Sequence, residues 1–182
     1  MRIVNSVLGD ARGGRWQVVC DYSRVLAAAG HEVLLLLDRR QQTGLDALPA
    51  GIRIERVRNH GHYDYPAAWR LRGLLKRFDA ALAIAHCSRS VALLKHTLPR
   101  RGPPVLAVSH SNKVRRLLKA DACLALSTHI ENDYLATGID KPCYRLPNMI
   151  AIDPGPAPAA VARQQPVRIG ALGRFDRVKG LD

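Results

Sequence analysis

At 182 residues, 47% hydrophobic and only 5% aromatic, the chain can bury one sizeable α/β core with a little left over. Its 28 Lys and Arg against 15 Asp and Glu give a formal net charge of +13, partly a solvated arginine-rich surface and partly charge serving a membrane-bound or phosphorylated substrate. Nucleic acid is disfavoured by dispersed arginines with few aromatics between them, and no apolar run nears the ~20 residues of a membrane span.

Residues 2–8 (RIVNSVL) have the apolar pattern of a first strand and lack the regions of a signal peptide, and a cytoplasmic protein is expected. Residues 9–14 (GDARGG) are a glycine-bearing loop. A helix follows over 15–29, with Val18, Val19, Tyr22, Val25 and Leu26 at helical spacing, and Gly30 suits its left-handed end. Residues 32–38 (EVLLLLD) read as a continuous apolar strand of a parallel sheet covered on both faces. Further strands are expected at 52–57, 80–85, 104–109, 122–126 and 143–146, with helices at 66–77, 88–97, 112–119 and 128–136. This alternation implies right-handed crossovers and a Rossmann-like, doubly wound parallel sheet over residues 1–152. Residues 153–166, rich in Pro and Ala without apolar period, read as a linker, and VRIGAL (167–172) as the first strand of a second domain.

Several residue types along this frame suit chemistry. Gly13 and Gly14 stand directly before a helix, where backbone N–H groups and the helix dipole favour an anionic oxygen and the missing Cβ atoms admit a ligand closely; a tight turn without ligand fits the spacing equally. His110 ends the strand 104–109 at the carboxyl edge, where open α/β sheets bind ligands. His86 ends the strand 80–85 at the same edge, near the rim of the expected cleft, with Ser88 beside it as a helix cap. His31 occupies a turn at the opposite edge and reads as structural. His60 and His62 offer an H-x-H spacing without a third ligand, so no metal is expected. Cys20, Cys87, Cys123 and Cys143 are too widely spaced for a zinc knuckle or a CxxC pair and read as buried thiols in a reducing cytosol. Arg174 and Lys179 flank a loop after the strand 167–172 and suit charge-assisted contacts to a diphosphate.

The order of these signals is similar to that of the retaining GT-B glycosyltransferases of family 4. It runs from the Gly-Gly loop through LAAAGHEVLLLL, a strand ending in SH, ALS before a helix, LPN and a linker to GRFDRVKG. The resemblance covers the whole chain. It implies the N-terminal, acceptor-side domain of a GT-B fold and the start of a donor-binding domain. The activity implied is transfer of a hexosyl-type sugar, with retention, from a nucleotide-sugar to a glycan or lipid-linked, lipopolysaccharide-type acceptor. No cofactor and no metal are implied, and peripheral association with the inner face of an anionic membrane fits the charge. By resemblance, Gly13 and Gly14 meet the donor phosphate and acceptor, His110 lies beside the donor sugar and the acceptor, and Arg174 and Lys179 hold the diphosphate; His86, from its place at the same strand edge, is a further candidate for donor or acceptor binding. Loop 58–65 touches acceptor. Where the family often has an acid after the Gly pair, Arg15 and Trp16 follow here. The family's acidic pair falls beyond Asp182, so the chain is expected to be a fragment, inactive by itself.

Two other readings stay open. Asp38 ends the second strand 24 residues after Gly14, near the place of a ribose-binding acid, with Arg39 and Arg40 for a 2′-phosphate, as in an NAD(P)-dependent oxidoreductase domain. The glycines Gly9, Gly13 and Gly14 give GxxxGG, not GxGxxG, which argues against it. The other is a non-catalytic binding module.

Overall fold

The computed structural model describes residues 1–41, 44–99, 101–149 and 155. The chain divides into two units, Met1–Ile150 and Ala151–Asp182, and every element below belongs to the first. The linker expected over 153–166 (Gly155 apart), the strand at 167–172, Arg174 and Lys179 lie outside the described residues.

Seven strands form one all-parallel sheet: β1 (Arg2–Val7), β2 (Glu32–Asp38), β3 (Arg53–Val57), β4 (Leu82–Ala85), β5 (Val105–Ser109), β6 (Ala122–Ala125) and β7 (Cys143–Arg145), in the order β3-β2-β1-β4-β5-β6-β7. Four α-helices connect them: α1 (Gly14–Ala28), α2 (Tyr65–Phe78), α3 (Ser88–Thr97) and α4 (Thr128–Leu135). From β1 the chain winds outward to β2 and β3, then crosses back to β4 and winds the other way. The reversal lies between β1 and β4, where the loops leaving the two strands diverge and open a crevice at the carboxyl edge. This is the doubly wound α/β architecture that the alternation of the sequence implies.

Side chains alternate between the two sheet faces. Val4, Leu34, Leu36, Ala83, Ala85, Val105 and Ala107 pack with Ala67, Leu71, Leu75 and Phe78 of α2 and with Val91 and Leu94 of α3. On the opposite face, Ile3, Ile84 and Val108 meet Val18 and Tyr22 of α1, while Val7, Leu35 and Leu37 meet Val19. Each fully buried Leu or Val stabilises by roughly 1.5–3 kcal/mol relative to exposure. Two buried polar residues of β1 tie the switch point together. Asn5 Nδ2 donates to Val19 O at 3.0 Å and to Ser23 Oγ at 2.9 Å, docking α1, and Ser6 Oγ donates to Ile84 O at 2.9 Å, joining β1 to β4.

Local signals set the helix ends. Asp64 caps α2 by accepting from Ala67 N at 2.9 Å, Pro66 sits in the first turn, and Asp79 closes the helix with φ 51°. Three expectations are corrected. Residues 112–119 do not form an α-helix: Val114–Leu117 is a single 3₁₀ turn, in which Val114 and Leu117, three apart, fall on one side and are both buried. Val25, assigned to the buried stripe of α1, is 49% exposed. The cap of α3 is Cys87, whose Sγ accepts from Ser90 N; Ser88 is the helix's first residue instead.

Candidate functional site

His86 follows β4 directly. Its backbone N–H donates to Ser6 O at 2.9 Å, extending the β1–β4 ladder by one bond. The side chain is fully buried, and its ring meets Tyr22 edge-on, with centroids 5.0 Å apart and planes at 88°. His110 follows β5, and its Nε2 lies 3.2 Å from His86 Nδ1. Burial, with a smaller push from Arg15, lowers the His110 pKa to about 4. Burial, then the charges of His110 and Arg15, holds His86 well below the ordinary imidazole range. Both rings are neutral at neutral pH and share one proton along the contact. His86 Nε2 is buried without a partner. A lone pair is cheaper to strand there than an N–H, so the proton belongs on His86 Nδ1 and is donated to His110 Nε2. His110 then carries its own proton on Nδ1, the nitrogen left for a ligand.

His110 and His86 both line a cleft of about 250 Å³ at the switch point. His86, expected at the rim, is instead the buried support under His110. The β1–α1 connection reaches this cleft through Gly9, Asp10 and Arg15. Gly13 and Gly14 do not line it: Gly13 caps α1 at φ 57°, and open space surrounds both missing Cβ positions. Gly9 makes the close approach, since a Cβ there would sit 3.1 Å from Cys87 Sγ. Arg15 donates to Asp10 O at 2.6 Å, while its Nε is buried without a partner. Sequence reasoning noted Arg15 only as a departure from pattern. It stands in the first turn of α1, just after the Gly13 cap, and lines the cleft with the two imidazoles.

Among the described residues four cationic side chains line the cleft, Arg15, Arg89, Lys113 and Arg116, against the single carboxylate Asp10, which pairs with Arg12 at 3.4 Å. The N-terminus of α3 opens at the same place through Cys87, Ser88 and Arg89, adding partial positive charge. His62 from loop 58–65 also reaches the cleft, its Nε2 2.9 Å from Ser88 Oγ. Burial, then the charges of Arg89, Arg116 and Lys119, lowers its pKa. The site is built for an anion beside an uncharged hydrogen-bonding pair. Arg89, Lys113 and Arg116 carried no signal in the sequence beyond their charge.

Asp38 is buried, and both of its oxygens are engaged. Oδ1 accepts from Arg40 N at 2.8 Å and Nε at 3.2 Å; Oδ2 accepts from Asn59 Nδ2 at 3.1 Å and lies 3.5 Å from Arg89. This carboxylate organises the ends of β2 and β3, its two oxygens shared among Arg40, Asn59 and Arg89. His31 Nδ1 lies 3.5 Å from the N-terminal amino group, away from the cleft. Among the described residues no three His, Cys, Asp or Glu side chains gather as metal ligands. The four cysteines are unpaired; burial pushes Cys20 to about 11 and Cys123 to about 12, so both remain protonated thiols.

Residues 12–153 match the profile of Glycosyltransferase Family 4. Among solved structures, sucrose-phosphate synthase from Thermosynechococcus elongatus superposes with a TM-score of 0.64 at 16% identity, over 80% of this chain and 47% of that one. The apo form of the lipopolysaccharide outer core galactosyltransferase WaaB gives 0.56 at 15% identity, over 77% and 43%. MurG of Acinetobacter baumannii gives 0.59 at 11% identity, over 82% and 46%. These likenesses concern the fold, and the chain spans a little under half the length of each of the three. Comparison with curated proteins gives no match.

Proposed function

We propose that this chain, which belongs to glycosyltransferase family 4, supplies the acceptor-side domain for moving a hexosyl-type sugar, with retention, from a nucleotide-sugar to a glycan or lipid-linked acceptor. The observation that carries the reading is the neutral His110–His86 pair at the sheet's switch point, facing a cationic cleft. As the bond to the leaving diphosphate breaks, positive charge grows on the sugar and negative charge on the phosphate. A protonated imidazole beside the sugar would oppose the first; His110, neutral down to about pH 4, does not. Its Nδ1–H orients a sugar hydroxyl, a contact worth ~10²-fold or more in turnover if it strengthens in the transition state. Arg15, adjacent to the pair, favours the departing negative charge. The acceptor hydroxyl attacks from the face the phosphate leaves and gives its proton to the departing phosphate oxygen. Arg174 and Lys179 are assigned to the diphosphate, Gly13 and Gly14 to the loop that faces the donor, and no metal or cofactor enters the scheme.

Peripheral contact with an anionic membrane from the cytoplasmic side is part of the proposal and fits a lipid-linked, lipopolysaccharide-type acceptor. Tyr65, Trp69, Arg72 and Lys76 fall at i, i+4, i+7 and i+11 on the exposed side of α2, with Trp69 78% exposed. Aromatic rings followed by cations suit a headgroup layer. Among the described residues no helix is long and apolar enough to cross a membrane.

The test joins the chain to a complete donor-binding half and follows the anomeric configuration of the product by NMR. Transfer with retained configuration supports the reading. Inversion would remove the retaining mechanism, and NADP binding without any nucleotide-sugar turnover would replace the reading with an oxidoreductase domain.

A further inference from the structure

We infer that the acceptor carries a phosphate group, seated between Lys113, Arg116 and His62 in this cleft. This rests on the reading of the cleft as the acceptor side and names the chemistry it selects. Lys113 and Arg116 come from the 3₁₀ turn after β5 and are both exposed; neither side chain has a hydrogen-bonding or ion-pair partner among the described residues. They stand in one cleft with Arg89, whose Nη1 is held by Leu8 O, Asn59 Oδ1 and Asp38 while its Nε is buried without a partner. Asp10, the cleft's carboxylate, is turned to Arg12. Arg89 has Asp38 as its counter-charge at 3.5 Å, whereas Lys113 and Arg116 have none among the described residues; two such cations in one concave site repel one another, and the arrangement becomes favourable when an anion fills it.

The cations fall into two groups. Arg15 acts on His110 and His86, at the proposed reaction centre. Arg89, Arg116 and Lys119 act on His62, whose ring is held by Ser88 Oγ. A charge at the second position therefore meets a different part of the substrate from the one held at the His110–His86 pair. A phosphate monoester fits it better than a carboxylate: it brings ~1.5–2 negative charges and three acceptor oxygens, enough for Lys113, Arg116 and the imidazole together. His62 is a built-in reporter, because an anion between it and its cationic neighbours offsets the field that disfavours its protonation.

The 182-residue chain is titrated with inorganic phosphate, glycerol 3-phosphate, acetate and uridine diphosphate while the His62 ring is followed by heteronuclear NMR, in parallel with the K113A/R116A variant. Both substituted positions are exposed, so the fold is retained, which the unchanged signals of the His86–His110 pair verify. The expected result is that phosphate and glycerol 3-phosphate raise the His62 pKa, and that K113A/R116A weakens their binding about tenfold or more. Three results overturn the inference: no response of His62 to either phosphate, an equal response in the variant, or acetate binding as tightly as phosphate. Tighter binding of uridine diphosphate than of glycerol 3-phosphate at Lys113 and Arg116 would assign those cations to the donor and also overturn it. If the phosphate probes bind as expected but the chain joined to a donor half transfers no sugar, the transferase reading fails and the phosphate seat stands. Transfer to neutral acceptors undiminished by K113A/R116A has the opposite meaning.

Discussion

Lowering the pH from 7 to 5 should destabilise the domain through its buried imidazoles before its carboxylates are affected. His110 is held at about 4 in the fold against 6.5 for the free side chain. Between these values the unfolded chain binds a proton that the folded chain refuses, so stability is complete above pH 6.5 and falls as the pH drops through that window. The whole loss corresponds to roughly 3 kcal/mol by pH 4, of which about 2 kcal/mol has gone at pH 5. His86 and His62, both lowered, contribute with the same sign. Asp64 and Asp121 are held below the ordinary carboxylate value of 3.8, so their contributions are lost only at more acid pH. Against a total of about 5–15 kcal/mol for a domain, a loss of this size is readily seen in urea unfolding of the chain at pH 7, 6 and 5. His110→Asn should remove about 2 kcal/mol of the difference between pH 7 and pH 5. Equal stability at the two pH values, or an unaltered drop in His110→Asn, would refute the burial and neutrality assigned to this ring.

Asp38→Ala strips Arg89, Arg40 and Asn59 of their common acceptor and should cost about 3 kcal/mol of unfolding free energy; a loss under about 1 kcal/mol in the same urea assay would mean that the network is not organised as described. Gly44→Ala places a Cβ against the Trp16 indole nitrogen at a residue with φ +78°, so a destabilisation of ~1–3 kcal/mol is expected, with Trp16 fluorescence altered in the native state. Y65A/W69A should weaken sedimentation with vesicles containing anionic lipid while leaving the unfolding midpoint within a degree or so, since both side chains are exposed. Undiminished vesicle binding would move the membrane contact elsewhere.

The sheet was legible because the strands are central and buried on both faces. EVLLLLD can satisfy five consecutive buried positions, Val33 to Leu37, only as a strand covered by helices on either side. The helix over 88–97 was legible to the residue, but not its cap: a thiol at Cys87 takes the place expected for the Ser88 hydroxyl, which turns instead to His62. His110 could be placed at the carboxyl edge from its strand alone. Its contact with His86 could not, because the two are 24 residues apart and their depth depends on Tyr22 of α1 packing against the His86 ring. The same holds for Arg15, which reads as a surface cation in the sequence but lines the cleft from the first turn of α1. The 112–119 segment misled because Val114, Leu117 and Leu118 satisfy helical spacing, whereas the short connection from β5 to β6 needs only one tight turn to bury the first two.

The central claim is that His110, neutral and supported by His86, contacts the sugar as it is transferred. Its most direct test compares wild type with His110→Ala, in the chain joined to a complete donor-binding half, by single-turnover transfer from the nucleotide-sugar. The account predicts a fall of ~10²-fold or more in the rate of transfer with donor affinity little changed. An unchanged rate, or a loss confined to donor affinity, would contradict it.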